Sequence, residues 1–264
     1  MSKTKEQVAK NVYVFIGEFL ELYPELKGRD IYLAGESYSG KYIPWIADYM
    51  IQSQKIFADK NVVLKGIIIG NGIMDPYIQK ASGLSFAIHH KLITKKLKSE
   101  ILEEVEKCQN YLKNLPKETV YSPEANKKEL DKFGPCNMIA TKVLFDNDDK
   151  QKFDNFDITQ PCEDPYTSCL NDRHINTFMN QLKVTKAFGL NKKFETINWD
   201  VNTQMAYTQK LNVYNEMKNI LDHGVRVLGY FGELDYQVNW EGGLAVFNKF
   251  DWNGLVQKGE FLGS

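Results

Sequence analysis

The sequence lacks several features that would place it in a class at once. No apolar run is long enough to cross a membrane, and the N-terminal residues lack the apolar core of a secretory signal peptide. No Asn-x-Ser/Thr glycosylation site occurs, so glycosylation gives no support for a secretory route. The 33 Lys and Arg nearly balance the 34 Asp and Glu, which leaves no overall basic field for nucleic acid or an anionic membrane. Taken alone, these absences predict a cytoplasmic protein with no nucleic-acid partner and no membrane span.

Cysteine and histidine are also scarce, with four of each. Cys162 and Cys169 lie seven positions apart, and Cys108 and Cys136 flank a segment that contains Lys, Glu and Pro. An even number in two local pairs is typical of disulfides in an oxidised insertion, and four reduced core thiols are the alternative. Neither pair has the CxxC spacing of a zinc site, and no histidine lies at ligand distance from both pairs. We therefore expect no metal and no cofactor.

What the sequence does contain is a short apolar stretch that breaks into a turn and restarts as a helix. Residues 31–44 read IYLAGESYSGKYIP, in which Ser37 lies between the small residues Gly35 and Ser39. This is the pattern of a nucleophile elbow, a strained turn that exposes a serine hydroxyl at the end of a strand. The amide of the next residue, Tyr38, would point to where an oxyanion forms. The pattern predicts Ser37 as nucleophile and Tyr38 as a backbone oxyanion donor.

Helices and strands alternate around this turn. The apolar stripe of a first helix comprises Val8, Val12, Phe15, Ile16, Phe19 and Leu20. Buried strands are predicted at 31–34, 62–69 and 225–231, and further helices at about 42–54, 97–112 and 209–221. Between residues 113 and 160 the periodicity is lost, which is typical of an insertion. This alternation predicts an α/β fold with a parallel sheet and crossover helices.

A second catalytic candidate follows the third predicted strand. The segment Gly232-Glu233-Leu234-Asp235 would bring an acid to the carboxyl edge of the sheet, where open α/β folds place their chemistry. An acid there accepts a hydrogen bond from a histidine and stabilises the imidazolium that forms during acylation. Glu233 and Asp235 both satisfy this position, and an ordinary aspartate that caps a loop is the alternative.

Four stretches closely resemble the serine carboxypeptidases, the acid-acting exopeptidase branch of the α/β-hydrolases. They are QVAKNVYVFIGEFLELYPELKGRDIYLAGESYSGKYIP at 7–44, GIIIGNGIMDP at 66–76, the segment 162–190 that ends in FMNQLKVTKAFGL, and VLGYFGELDYQVNWEGG at 227–243. The resemblance covers nearly the whole chain and is weakest between about residues 107 and 157. It implies an α/β-hydrolase with a mostly parallel central sheet, incomplete here, and a helical, disulfide-containing insertion or lid.

The resemblance also implies roles for individual residues. It selects Asp235 over Glu233 as the triad acid, because Asp235 precedes an aromatic residue and then an Asn-Trp step. It implies that Glu36 binds the free carboxylate of a peptide or protein C-terminus and shares a proton with a second acid, although a glutamate that merely bonds the elbow backbone is the alternative. The four cysteines become disulfide candidates, and the implied location is lysosomal, vacuolar or secreted.

The spacing of the two catalytic candidates indicates an insertion. Ser37 and Asp235 lie about 200 residues apart, which leaves on the order of 100 residues beyond the βα units that join them. We predict hydrolase core at 1–88, an insertion or lid at 89–200 and hydrolase core at 201–264. A lid over the elbow would be the natural place for substrate selection.

The triad is incomplete in this sequence. The order in α/β-hydrolases is serine, acid, histidine, and no histidine follows Asp235. The four histidines that precede it are His89, His90, His174 and His223. Only 36 residues precede Ser37, so the glycine-rich oxyanion segment and the partner acid of Glu36 are also missing. The sequence therefore predicts an internal fragment of a carboxypeptidase-like protein.

Three functions fit these residues. The first is a serine carboxypeptidase that hydrolyses C-terminal peptide bonds at acidic pH through an acyl-enzyme on Ser37. The second is an acyltransferase on the same scaffold, and the third is an inactive remnant that acts as a binding protein. Because Ser37 lacks its base, we expect little or no activity from the 264 residues alone. The sequence leaves the oligomeric state and the side-chain preference open.

Overall fold

The structure is a computed structural model that describes residues 4–53, 63–114, 134–162, 169 and 172–252. In chain order the elements are α1 (Lys5–Leu22), β1 (Asp30–Glu36), α2 (Ser39–Gln52), β2 (Val63–Gly70), α3 (Pro76–His89), α4 (Lys95–Lys113), α5 (Gly134–Leu144), α6 (Arg173–Met179), α7 (Leu182–Ala187), α8 (Trp199–Gln204), α9 (Tyr214–Asp222), β3 (Arg226–Tyr230) and α10 (Trp240–Phe247). Short 3-10 segments occupy Pro24–Leu26 and Ala206–Lys210.

The described strands form one parallel sheet in the order β1-β2-β3. Glu36 at the end of β1 and Tyr230 at the end of β3 are both in register with Gly70 at the end of β2. The three carboxyl ends therefore lie at one edge of the sheet. The predicted α/β fold with a parallel sheet is confirmed.

The described chain divides into two compact units. The sheet unit comprises residues 2–79, 211–231 and 240–264, and the insertion unit comprises residues 80–210 and 232–239. Because the chain leaves the sheet unit and returns to it twice, the insertion unit is built from two separate segments. The predicted segments 1–88, 89–200 and 201–264 remain a prediction of how the domains are organised.

The sheet unit has an apolar core between β2 and the helices that pack near it. Its fully buried members include Ala47, Ile67, Ile69, Met74, Val213, Met217, Ile220 and Val246. Helix α2 contacts β1, β2, α1 and α9, so the helix that follows the elbow is the centre of this packing. Burial of several large aliphatic side chains, each worth about 1.5–3 kcal/mol, holds α2 in place.

Two of the predicted buried strands are not buried. In β1 and β3 every second residue is exposed, and the side chains of Tyr32, Leu228 and Tyr230 are about half exposed. Successive side chains of a strand point to opposite faces, and the described residues pack only one face of these two strands against the core. The predictions for residues 31–34 and 225–231 were therefore right about strand and wrong about burial, whereas β2 carries the buried run Ile67–Ile69 with Ile68 half-buried.

The buried face of α1 also differs from the predicted stripe. Ala9, Tyr13, Gly17 and Leu20 are buried, whereas Phe15 is 67% exposed and Phe19 is 39% exposed. Helix α1 packs against α2, and its buried residues include the small Ala9 and Gly17, which a purely apolar pattern does not indicate. Phe15 and Phe19 stack on each other instead, with ring centroids 6.3 Å apart.

The insertion unit contains an α-helical pair that a disulfide joins. Helix α4 buries Ile101, Val105 and Cys108, as its amphipathic pattern predicts. Helix α5 was not predicted, because residues 113–160 show no clear period; it buries Cys136, Ile139 and Val143. Cys108 and Cys136 form one disulfide, and Cys162 and Cys169 form the second. Both disulfide pairs implied by the resemblance are present.

Among the helices that the structure describes, none combines the length and the apolar composition needed to cross a membrane.

Candidate active site

The turn between β1 and α2 has the backbone of an elbow. Strand β1 ends at Glu36, α2 begins at Ser39, and Ser37 between them has a φ of 59°. A positive φ is uncommon for a residue with a Cβ and costs on the order of 1 kcal/mol or more. The chain can turn this sharply only because position 35 is glycine, since a Cβ there would lie 2.6 Å from the Ser39 hydroxyl oxygen.

Hydrogen bonds and a close backbone contact hold this turn in the sheet unit. The Ser37 amide donates to the Gly70 carbonyl at 3.0 Å, and the Ile73 amide donates to the Ser37 carbonyl at 2.9 Å. A Cβ on Gly40 would lie 2.6 Å from the Ile73 nitrogen and 2.8 Å from the Gly72 Cα. The loop after β2 therefore fixes both sides of Ser37.

The side chains at the turn are accessible. Glu36 and Ser37 are exposed, and Tyr38 is half-buried with its ring 5.1 Å from the ring of Tyr42. Burial raises the pKa of Tyr42, so its phenol stays neutral over the whole physiological range. The hydroxyl of Ser37 and the carboxyl of Glu36 thus lie at the surface of the sheet unit, at the carboxyl edge of the strands.

Asp235 lies in the other compact unit and has a different environment. It is 9% exposed, its Oδ1 accepts from the Val238 amide at 2.8 Å, and its own amide lies 3.4 Å from the Gly232 carbonyl. The next two amides, of Tyr236 and Gln237, both donate to the Asn155 carbonyl at 3.0 Å. Glu233, the competing acid, is exposed. Burial and backbone bonding hold the Asp235 carboxyl in one orientation.

A model of the serine carboxypeptidase family matches residues 1–261. The chain belongs to the serine carboxypeptidase family. The match spans the elbow, the segment around Asp235 and the insertion between them, and it confirms the family that the four quoted stretches resemble.

Individual members of the serine carboxypeptidase family are distant relatives. The chain is 31% identical over 264 residues to "Vacuolar serine-type carboxypeptidase ATG42" of Saccharomyces cerevisiae, covering 96% of this chain and 49% of that protein. It is 26% identical over 253 residues to "Serine carboxypeptidase-like 48" of Arabidopsis thaliana, covering 95% of this chain and 48% of that protein. The chain spans about half the length of the curated relatives it matches.

A solved carboxypeptidase structure shows the fold. The crystal structure of Kex1(delta)p, a prohormone-processing carboxypeptidase from Saccharomyces cerevisiae, superposes with a TM-score of 0.78 at 23% sequence identity. The match covers 96% of this chain and 55% of that one. The predicted α/β-hydrolase fold is confirmed.

The structure describes local contacts for three of the four histidines. His89 and His90 end α3 and follow it, with ring centroids 4.9 Å apart, and His90 also packs 4.2 Å from Phe86. His174 is exposed on α6, and His223 is exposed after α9 with its Nδ1 2.8 Å from the Asn219 carbonyl. Phe86, His89 and His90 thus form a group of packed rings at the end of α3.

Sequence reasoning missed one residue beside the elbow. Lys41, four positions after Ser37, is completely buried, and its ammonium donates to the Leu211 carbonyl. Burial lowers the pKa of Lys41 to about 7, while the charges of Asp75 and Glu216 act in the opposite direction. The available signal was a lysine directly before the apolar run YIPWIA of α2, most of whose residues are buried.

The carboxylates near Lys41 have hydrogen-bonding partners of their own. Asp75 accepts from the Tyr214 hydroxyl at 2.7 Å and from the Tyr77 amide at 2.8 Å. Glu216 accepts from the Lys5 ammonium at 3.0 Å. Burial and the Asp75 bond raise the pKa of the Tyr214 phenol. Hydrogen bonds therefore link α9 to the loop after β2 and to α1, and the two carboxylates involved interact electrostatically with the buried Lys41 of α2.

Proposed function

We propose that the protein is a serine-type carboxypeptidase that hydrolyses the C-terminal peptide bond of peptides or proteins. The observation that carries this proposal is Ser37, an exposed serine held at a φ of 59° between a parallel strand and a helix, in a chain of the serine carboxypeptidase family. A positive φ at serine costs conformational free energy, and backbone strain of this kind is typical of catalytic turns.

The proposed reaction begins with attack by the Ser37 hydroxyl on the carbonyl carbon of the last peptide bond. The hydroxyl proton passes to a general base and then to the leaving amine, so that an amino acid is released and the acyl group stays on Ser37. Water then cleaves the ester. The Tyr38 amide is the proposed donor to the oxyanion, and Asp235 is the proposed acid that orients the base.

Glu36 is the proposed contact for the substrate's free carboxylate. It lies next to Ser37 at the exposed end of β1, and this position supports a contact with a peptide terminus bound at the elbow. A protonated Glu36 donates a hydrogen bond to that carboxylate, whereas an ionised Glu36 repels it. Substrate binding is therefore strongest at acidic pH.

The test of the reaction uses N-blocked dipeptides and the native gene product, purified from the cells that make it. We expect free amino acid to be released at pH 4–6, and Ser37→Ala to reduce the rate at least about 10³-fold. Transfer of the blocked residue to an added alcohol without amino acid release into water would favour the acyltransferase instead. Binding of peptides with no turnover by the native gene product would favour the binding protein.

The test of Glu36 follows the pH dependence of substrate binding. In the active protein KM rises as Glu36 ionises, and Glu36→Gln, which cannot ionise, removes most of this rise. Glu18→Gln, on the exposed face of α1, is the matched control and leaves the profile unchanged. If the pH profile of KM were unaltered in Glu36→Gln, Glu36 would not be the contact for the substrate carboxylate.

A vacuolar or secreted location is also proposed. Disulfides persist in oxidising compartments and are rare in the cytosol, and the insertion unit contains two of them. One relative is named as a vacuolar carboxypeptidase. Fractionation of cells that express the tagged gene product tests this, and recovery in the cytosol with free thiols would contradict it.

A further inference from the structure

The segment 173–199 of the insertion unit, called here the 173–199 surface, exposes an unusual number of large apolar side chains. Six of them are more than half exposed: Ile175, Phe178, Leu182, Phe188, Leu190 and Trp199. Single exposed apolar residues are normal on a protein surface, but a cluster of this density marks an interaction site.

Part of this segment lines a cavity. A cavity of about 260 Å³ is lined by Phe188 and Leu190 and by Met179, which follows Phe178 in α6. Asn198, which precedes Trp199, lines the same cavity. Two of the six exposed apolar side chains, Phe188 and Leu190, therefore lie in the wall of this cavity.

Hydrogen bonds hold this arrangement without a partner. The Asn180 side chain donates to the Phe194 carbonyl at 3.1 Å and accepts from the Phe194 amide at 2.9 Å. The Asn176 side chain donates to the Thr196 hydroxyl at 2.8 Å. Gly189 adopts a φ of 63° after α7, and the Leu190 amide then bonds back to the Thr185 carbonyl at 3.0 Å. The surface is preformed.

The charge of the same segment has one dominant sign. Its exposed basic residues are Arg173, Lys183, Lys186, Lys192 and Lys193, against the single acid Glu195. The net charge of 173–199 is thus +4, although the chain as a whole is at −1. Lys192 and Lys193 also line the cavity beside Phe188 and Leu190.

We propose that the 173–199 surface binds the headgroup region of an anionic lipid bilayer. Tryptophan, phenylalanine and leucine beside lysine are the residues that membrane-surface segments use, because the rings and aliphatic side chains enter the interface while the ammonium groups remain with the anionic headgroups. A protein partner would also bury the apolar residues, but the excess of basic residues, which persists when the flanking Asp172 and Asp200 are counted, favours a continuous anionic surface. This role is independent of the proposed peptidase reaction.

The test is flotation of the purified 264-residue chain with lipid vesicles. We expect binding to vesicles of phosphatidylcholine with about one third phosphatidylserine to exceed binding to pure phosphatidylcholine about tenfold, and to fall as salt is raised. Equal binding to both compositions, or no binding to either, would overturn the proposal, as would a bound fraction that salt leaves unchanged.

Matched variants distinguish binding through the 173–199 surface from nonspecific binding of the chain to membranes. Phe188→Ser and the pair Lys192→Glu with Lys193→Glu should each reduce binding at least about fivefold. The controls are Phe15→Ser, a phenylalanine equally exposed on α1, and the pair Lys95→Glu with Lys96→Glu at the start of α4. If the controls lose as much binding as the variants, the 173–199 surface is not the membrane site. Concentration-dependent dimers without vesicle binding would instead assign the surface to a second copy of the chain.

Discussion

Ser37 holds a backbone conformation that glycine adopts at far lower cost. Its φ of 59° places it in the left-handed region, where a residue with a Cβ is strained by about 1 kcal/mol or more. We expect Ser37→Gly to raise the free energy of unfolding by about 1 kcal/mol, and Ser37→Ala to leave it nearly unchanged. Chemical denaturation of the three proteins measures the difference.

Comparing the two variants isolates the free-energy cost of the positive φ angle, because both remove the hydroxyl and only glycine removes the Cβ. An equal shift for alanine and glycine would mean that the hydroxyl, not the φ angle, is the source of the effect. Strain at a serine with an exposed hydroxyl would support the role proposed for Ser37.

Lys41 makes the stability of the chain depend on pH in a direction that can be stated in advance. Its pKa is about 7 in the folded protein and 10.5 in the unfolded chain. Between these values the unfolded chain binds more protons, so the free energy of unfolding rises with pH. Below pH 7 Lys41 is protonated in both the folded and the unfolded chain. The free energy of unfolding is then lowered by the full cost of burying the ammonium group.

The measurement compares unfolding curves at several values between pH 6 and 10. For the unaltered chain we expect Lys41 to contribute a rise on the order of 3 kcal/mol across this range, and for Lys41→Met we expect that rise to be absent. Lys10→Met, an exposed lysine on α1, is the control and should follow the unaltered chain. A Lys41→Met curve parallel to the unaltered one would show that Lys41 titrates in the same range when folded and unfolded.

At the scale of elements, the contact between α2 and the loop after β2 determines how precisely the elbow is held. Alanine is normally favoured over glycine inside a helix by about 1 kcal/mol. At position 40 its Cβ would lie within 2.8 Å of the backbone of Gly72 and Ile73, which cannot rotate away. We therefore expect Gly40→Ala to lower the free energy of unfolding by about 2 kcal/mol or more.

Gly134→Ala is the natural comparison for Gly40→Ala. Gly134 begins α5, and a Cβ there would meet no atom within 4 Å. Its free energy of unfolding should stay within about 0.5 kcal/mol of the unaltered chain or rise slightly. If Gly40→Ala proved as harmless as Gly134→Ala in thermal denaturation, the close approach of α2 to the loop would be wrong.

The sequence predicts the elements better than it predicts their burial. The strand, turn and helix around Ser37 are encoded locally by an apolar run and small residues, and they form where predicted. The buried face of α1 is not encoded locally, because the small Ala9 and Gly17 are buried while the large apolar Phe15 stays exposed. Helix α5 escapes prediction for a related reason, since its cysteine is fixed by a disulfide to α4.

The same division applies to the candidate site. Ser37, Glu36 and Tyr38 can be named from a contiguous motif, whose elbow geometry the structure contains. Lys41 cannot, because its burial depends on Leu211, which is 170 positions away in the chain. A contact between residues so far apart in the chain produces no periodic pattern in the sequence. Their catalytic roles, and that of Asp235, remain predictions that the activity measurements decide.

At the scale of the whole molecule, all four cysteines belong to the insertion unit and none to the sheet unit. A disulfide stabilises mainly by restricting the unfolded chain, and the restriction grows with the loop it closes. The loops here have sequence separations of 28 and 7 residues. The loop-entropy relation gives about 3.5 kcal/mol for Cys108–Cys136 and about 2.4 kcal/mol for Cys162–Cys169.

Reduction should therefore weaken the insertion unit first. We expect a strong thiol reductant to accelerate amide hydrogen exchange at Ile101 and Ile139, which are buried beside Cys108–Cys136, and to leave Ile67 and Ile69 of β2 much less affected. Cys108→Ala with Cys136→Ala should reproduce most of this change, and Cys162→Ala with Cys169→Ala a smaller part of it, because the shorter loop restricts the unfolded chain less. Equal acceleration at all four isoleucines would mean that the two units unfold as one, and the disulfides would then stabilise the entire chain.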